Sequence, residues 1–149
     1  MPDPTHDFTL SQVIAQIDSG SRWTSSQLGV QNQLGYAFAT EIPAGGFPGG
    51  ETSGLTPFNG DQRAAARMAV SLWDDLINTD FVEPAEASAD ILFVNNTNAG
   101  QAYTYLPPFG DVFINPNQAS NSQLNPGGYG LLTLVHEFGH SLGLGHPGD

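Results

Sequence analysis

The sequence has 149 residues, 39% of them apolar, which is enough for one ordinary globular domain with its own core. Its formal net charge is -12, so DNA or an anionic membrane surface would be repelled, and we expect neither nucleic acid nor a membrane as a partner. Cysteine is absent, which excludes disulfides and thiolate ligands, so any metal must be bound by nitrogen and oxygen donors.

The first half of the chain predicts two helices. No basic segment followed by an apolar stretch opens the sequence, so we expect neither a signal peptide nor a membrane span. Segment 8–17 predicts a short packing helix opened by Thr9 or Ser11. Segment 61–78 predicts a longer helix, capped by Asn59 or Asp61. The apolar positions at helical spacing are Leu10, Val13, Ile14 and Ile17 in the first helix, and Ala65, Met68, Ala69, Leu72 and Leu76 in the second.

Five segments predict strands: 34–40, 80–83, 90–95, 101–106 and 111–115. A long loop rich in glycine and proline follows the first, and the helix between strands favours parallel pairing. Segment 101–106 alternates and ends at two prolines, which indicates an edge strand. Its tyrosines, Tyr103 and Tyr105, fit either cross-strand packing or an edge that receives an extended peptide. A last loop leads to a helix beginning near Tyr129.

The last helix carries three of the four histidines of the chain within eleven residues. At 3.6 residues per turn, His136 and His140 lie on the same helix face, so two imidazoles can bind one ion. Gly143 can adopt a left-handed conformation, end the helix and bring His146 to the same ion. Three neutral imidazoles leave one zinc position open for water, which is typical of a catalytic rather than a structural site.

Glu137 adjoins the first of these histidines and is not needed as a ligand. We expect it to take a proton from the water as general base and to pass that proton to the leaving amine. Two histidines at this spacing recur by chance, but the added glycine and third histidine reduce chance occurrence to roughly one in 10⁵. The remaining histidine, His6, stands alone among polar residues, and we expect no ligand role for it.

These residues carry a resemblance to a known family. HExxHxxGxxH is the zinc signature of the metzincins, and the Pro-Gly-Asp at 147–149 resembles the serralysin branch. The order of predicted elements over about residues 30–149 is similar to the metzincin N-terminal subdomain. Matrixins fit less well, because their second, structural zinc takes histidines from the region equivalent to 90–115, which contains none here.

The resemblance implies an α/β (α+β, zincin-like) fold. Its twisted, mainly parallel five-stranded sheet would have segment 101–106 as the antiparallel edge and would pack on two long helices, the second carrying the zinc motif. Substrate backbone would pair with the edge strand. The residues implied in that pairing are Gln101, Ala102 and Tyr103.

The resemblance also implies a zinc-dependent endopeptidase that acts on proteins or peptides. It would use one catalytic Zn²⁺, with His136, His140 and His146 as ligands and Glu137 as general base. The sequence ends at Asp149, before the family's Met-turn, so we expect residues 1–149 to form a single incomplete catalytic domain. Ca²⁺ would then bind only in C-terminal repeats that the sequence lacks.

Other interpretations stay open at this point. The alternatives to an endopeptidase are a catalytically incomplete zinc-binding fragment and one half of a split protease. For the parent protein the resemblance implies a secreted, extracellular monomer, and a proteinaceous inhibitor is a further candidate partner.

Overall fold

The structure, a computed structural model, describes residues 8–24, 30 and 32–147. His6, and the Gly-Asp pair that contributes to the serralysin resemblance, lie outside the described residues. Two short 3₁₀ turns, Glu86–Ser88 and Ala119–Ser122, interrupt the longer connections. The helices and strands, in chain order, are α1 (Leu10–Ile17), β1 (Asn32–Phe38), β2 (Leu55–Thr56), α2 (Gly60–Asp74), β3 (Thr79–Val82), β4 (Ile91–Asn96), β5 (Ala102–Thr104), β6 (Val112–Ile114) and α3 (Tyr129–Ser141).

The strands form a six-stranded mixed sheet with the order β3-β1-β4-β6-β5, and β2 pairs with β4 beside this path. Pairing is parallel for β1 with β3, β1 with β4 and β4 with β6, and antiparallel for β5 with β6. The predicted α/β fold with an antiparallel edge is therefore confirmed. The strand number is corrected from five to six, because Leu55 and Thr56 of the predicted loop pair with the end of β4. A two-residue strand has no alternation by which sequence could reveal it.

Side-chain caps define the N-termini of α1 and α2. Thr9 caps α1 and Asn59 caps α2, each in a capping box with the glutamine three residues later. In α2 the Asn59 side chain accepts from the Gln62 N–H at 2.9 Å, and the Gln62 side chain accepts from the Asn59 N–H at 3.0 Å. These bonds satisfy backbone donors that a helix start leaves unpaired.

Tertiary packing buries only part of the predicted face of α2, because Ala65 and Ala69 are buried and the larger predicted residues are not. Met68 and Leu72 are 40% and 46% exposed. Small alanine side chains let α2 approach α3 and the sheet closely, which the larger predicted residues would prevent. The packing predicted for α1 is also wrong within the described chain, since this helix has no buried residue. The buried residues of α2 are Gln62, Ala65, Ala66, Ala69 and Val70.

Apolar clusters cover both faces of the sheet. On the helix side, Phe93 of β4 and Phe138 of α3 are fully buried and stack with ring centroids 5.8 Å apart. On the outer side, Phe47 and Tyr103 pack on Phe113 with centroid separations of 5.1 Å and 4.6 Å. This packing holds α3 beneath the sheet, with β5 along one side. In the described parts of the chain, every helix is too short or too polar to cross a bilayer.

Glu51, in the long loop between β1 and β2, links this loop by hydrogen bonds to the outer face of the edge strand β5. Its Oε1 accepts hydrogen bonds from the hydroxyls of Tyr103 at 3.0 Å and Tyr105 at 2.6 Å. Asn96 in turn donates to the Tyr103 hydroxyl at 2.9 Å. The hydrogen bond to Glu51 raises the pKa of Tyr105 to about 12, so this phenol remains a donor at any physiological pH. The edge strand is therefore supported from behind.

Asp111, directly before β6, is a buried carboxylate whose charge opposes folding. The Leu92 N–H donates to its Oδ1 at 2.8 Å. Burial nevertheless raises the pKa of Asp111 to about 6, above the value of about 3.9 expected in an unfolded chain. A raised carboxyl pKa means that folding favours the protonated form, so stability should rise as pH falls from about 7 towards 5.

Asp111→Asn keeps the acceptor for the Leu92 N–H and removes the buried charge. We expect it to raise the free energy of unfolding at pH 8 by on the order of 2 kcal/mol, and to change it little at pH 4.5. Urea denaturation at the two pH values measures this difference. The exposed Asp74→Asn serves as control, and a destabilised Asp111→Asn protein at pH 8 would contradict the account.

Candidate metal centre

Three imidazole nitrogens meet at the end of α3. The Nε2 atoms of His136 and His140 are 3.0 Å apart, those of His140 and His146 are 3.1 Å apart, and those of His136 and His146 are 3.2 Å apart. Nitrogens about 2.0–2.1 Å from a tetrahedral zinc lie about 3.3 Å from one another. The three predicted residues are thus brought together in an arrangement that could hold one metal ion.

Gly143 makes this convergence possible. Its φ is +102°, the left-handed conformation predicted from the sequence. A Cβ at this position would also lie 2.5 Å from the carbonyl oxygen of Ser21. Only glycine therefore satisfies both the chain reversal and the close approach of the N-terminal segment.

Local contacts prepare two of the histidines for metal binding. His140 Nδ1 lies 2.7 Å from the carbonyl oxygen of Leu144, which fixes the Nδ1–H tautomer and leaves the Nε2 lone pair for a metal. Partial desolvation, together with the neighbouring His140, lowers the pKa of His136. A lowered pKa favours the uncharged imidazole, which is the form that binds metal.

Glu137 occupies the helix position next to the first histidine and is buried. Its Oε2 accepts a hydrogen bond from Thr104 Oγ1 at 2.9 Å, across the cleft between α3 and β5. Thr104 is not among the site residues predicted from the sequence. Alternation along β5 offered the signal, because it places Thr104 on the opposite face from Tyr103 and Tyr105.

The predicted substrate-binding residues have different surroundings. Ala102 and Tyr103 lie on β5, whose outer side pairs with no other strand in the part of the chain that the structure describes. The carbonyl oxygen of Gln101 already accepts from the Asn115 N–H at 3.0 Å and from Asn121 Nδ2 at 2.9 Å. Gln101 thus anchors the loop that follows β6. Substrate pairing at Gln101, Ala102 and Tyr103 stays a prediction.

A cleft of about 330 Å³ runs between β5 and the histidines. A larger cavity, about 500 Å³, lies behind the turn that follows α3, but its largely apolar lining includes none of the three histidines. The cleft is therefore the candidate site, since metal donors, a buried carboxylate and an open strand edge meet only there among the described residues. Its lining includes Ala102, Thr104, Leu106, Glu137 and the three histidines.

The chain is similar in sequence to two known proteins over most of its length. No family model matches the chain. It is 30% identical to metallopeptidase AprA of Pseudomonas marginalis over 95% of this chain and 32% of that protein. It is 32% identical to serralysin G of Dickeya chrysanthemi over 95% of this chain and 33% of that protein. The chain thus spans about a third of the length of these curated relatives. The solved structure of myroilysin matches 85% of this chain and 52% of its own, with 18% identity and a TM-score of 0.49.

Zn²⁺ should stabilise the folded protein. At free Zn²⁺ 100 times the dissociation constant we expect a gain of about 2.7 kcal/mol in the free energy of unfolding. The gain should shrink below about pH 6, because protons then compete for the imidazoles. Thermal denaturation at pH 7.5 and 5.5 measures both effects. Mg²⁺ is the control cation, and an equal gain from Mg²⁺, or a full gain in His140→Ala, would contradict the assignment.

Proposed function

Because this chain is a serralysin-like member of the metzincin metalloproteases, we propose that it carries the zinc site and general base of an endopeptidase acting on proteins or peptides. One observation carries the proposal: three imidazole nitrogens lie 3.0 to 3.2 Å apart beside the buried carboxylate of Glu137. We extend the proposal to a secreted, extracellular protein that works as a monomer.

Peptide hydrolysis needs an activated carbonyl, a nucleophilic water, a base and a proton donor. Zn²⁺ bound by the three histidines would act as the Lewis acid, which polarises the carbonyl and makes the water more acidic. Glu137 would take one proton from the attacking water while the oxygen adds to the carbonyl carbon. As the C–N bond breaks, Glu137 would return that proton to the leaving amine, so that one water is consumed for each bond cleaved.

Thr104 is placed to orient Glu137 as a general base. Its hydroxyl donates to Oε2, which orients the carboxylate and leaves Oε1 as the oxygen that would carry the proton. A hydrogen bond to a charged group is stronger than one between neutral groups, so the carboxylate is restrained in one orientation. Thr104 is therefore a positioning residue, since it acts through Glu137.

The edge of β5 suits an extended peptide. An unpaired strand edge can form backbone hydrogen bonds with substrate regardless of its sequence. Substrate lying along Ala102 and Tyr103 would pass its scissile bond over the histidines, because β5 and α3 form the two walls of the same cleft. The Tyr103 side chain, stacked on Phe113 behind the sheet, leaves only the main chain of this residue for such pairing.

Calorimetric titration of Zn²⁺ into metal-free protein, followed by a casein assay, tests the proposal. We expect one equivalent to bind, and we expect His136→Ala and His146→Ala to lose cleavage and to retain only weak, still measurable zinc binding by the two remaining histidines. Binding without cleavage would favour the alternative, a zinc-binding chain that is catalytically incomplete. Failure of the wild-type chain to bind zinc specifically would refute the metal site itself.

Glu137→Gln separates catalysis from metal binding. The amide keeps the size and polarity of the side chain but cannot accept the proton, so the cleavage rate should fall by about 10²- to 10⁴-fold. Zinc affinity should stay close to that of the wild type, because Glu137 is not a ligand. Parallel calorimetry and casein hydrolysis measure the two quantities, and retained activity would assign the base to another residue.

Thr104→Val and Thr104→Ser test the orienting hydrogen bond. Valine has the same shape without the hydroxyl, and the loss of about 1–2 kcal/mol corresponds to a decrease in kcat of about 5- to 30-fold. KM and zinc affinity should change little, and Thr104→Ser should restore most of kcat. Equal activity of the valine and serine variants would show that the hydroxyl does not act on Glu137.

A further inference from the structure

We propose that an N-terminal strap, residues 17–23, positions the third metal ligand by fixing the ligand turn, residues 142–146. The inference rests on the proposed function, since it takes His146 as a ligand. It adds to the metal centre a segment more than a hundred residues away in sequence that contributes no donor atom of its own.

Backbone hydrogen bonds join the strap to both sides of Leu144. The Ser19 N–H donates to the Gly143 carbonyl at 3.2 Å, and the Gly145 N–H donates to the Ile17 carbonyl at 2.7 Å. Asp18 and Leu144 thereby form an antiparallel bridge. Ser19 Oγ adds a second bond to the Gly143 carbonyl at 2.6 Å. The residue directly before His146 is therefore fixed by the strap.

The other end of the strap fixes the end of α3. Trp23 Nε1 donates to the carbonyl oxygen of Ser141 at 2.7 Å. Ser141 is the last residue of the helix, where carbonyl oxygens lack partners within the helix. Ser141 Oγ also donates to the Gly110 carbonyl at 2.7 Å. The helix therefore ends at a defined residue and the turn begins from a defined position.

Strap and turn fit one another closely. The carbonyl oxygen of Ser21 lies only 2.5 Å from the position that a Cβ at Gly143 would occupy. Within the strap, Arg22 bonds Asp18 at 2.7 Å and also donates to the Ser21 carbonyl at 2.9 Å. These contacts keep the strap curved around the turn. Glycine is therefore required at residue 143 for two reasons: its positive φ and its close contact with the strap.

The strap also reaches a second ligand. Leu144, the strap's bridge partner, accepts the Nδ1–H of His140 through its carbonyl oxygen at 2.7 Å. With glycine on both sides of Leu144, the free turn would have many conformations, and ordering it would weaken metal binding. The strap restricts the turn before the metal arrives, and such preorganisation raises affinity.

The test removes strap hydrogen bonds without touching a ligand. Ser19→Ala/Trp23→Phe deletes the Ser19 Oγ and Trp23 Nε1 donors, and with Ser19 Oγ the acceptor of the Ser21 N–H. It keeps the backbone bridge and an aromatic ring at residue 23. We expect its zinc dissociation constant to rise by about 10- to 100-fold, the usual effect of removing groups that orient ligands. The visible absorption bands of the Co²⁺-substituted protein should shift towards those of His146→Ala. Ser71→Ala, which deletes an exposed hydroxyl bond within α2, is the matched control and should change neither.

A double-mutant cycle separates positioning from general destabilisation. In the His146→Ala background, the strap substitutions should affect zinc affinity much less than in the wild type, because the ligand they position is gone. An equal effect in both backgrounds would overturn the proposal. The single variants provide the same comparison if the double variant does not fold. Ser19→Ala loses the bond to the Gly143 carbonyl and the one accepted from the Ser21 N–H, and Trp23→Phe loses the bond to the Ser141 carbonyl.

The outcomes also separate this inference from the proposed function. Wild-type zinc affinity, within about twofold, and an unchanged Co²⁺ spectrum in the strap variant would refute the strap while leaving the metal centre intact. Absence of zinc binding in the wild-type chain would refute both.

Discussion

His146 reaches the other two histidines only because the chain reverses direction at Gly143, where φ is +102°. One turn of helix can present His136 and His140 together, but a third nitrogen at the same point requires the chain to leave the helix and return. A larger side chain at residue 143 would be strained by its backbone conformation and would meet the carbonyl of Ser21. The metal centre thus combines a local helix, a glycine turn and a strap from the N-terminal segment.

The direction in which the histidines point follows from the packing of the opposite side of α3. Phe138 is fully buried against Phe93, so this side of the helix faces the sheet. Trp73 of α2 lies over Gly139, where a Cβ would be 3.0 Å away, and donates to the Val135 carbonyl at 3.0 Å. With that face buried, the histidines face the cleft. The same helix therefore contributes one face to the core and another to the metal ligands.

The chemistry across the cleft depends on strand register. Thr104 faces Glu137 because β5 pairs with β6 so that Thr104 lies opposite Val112 and Tyr103 opposite Phe113. A shift of one residue would put a tyrosine over the carboxylate and the threonine into the outer core. Glu51 and the stacking of Tyr103 on Phe113 oppose such a shift from behind the sheet. The outer face, remote from any metal, thereby helps to align the site.

The amino-acid sequence by itself determined the candidate ligands, the candidate base, two candidate caps for each of the first two helices, and an edge strand at 101–106, whereas the antiparallel orientation of that edge was implied by the family resemblance. Each feature determined by the sequence depends on spacing within one segment, such as the helical repeat, the glycine turn or strand alternation. Only the tertiary structure decided the β2 pairing, the buried face of α2, the contact of Thr104 with Glu137 and the strap. These join segments far apart in the chain, as in the bond between Ser19 and Gly143 across 124 positions. Such contacts depend on how whole elements pack, which no local pattern encodes.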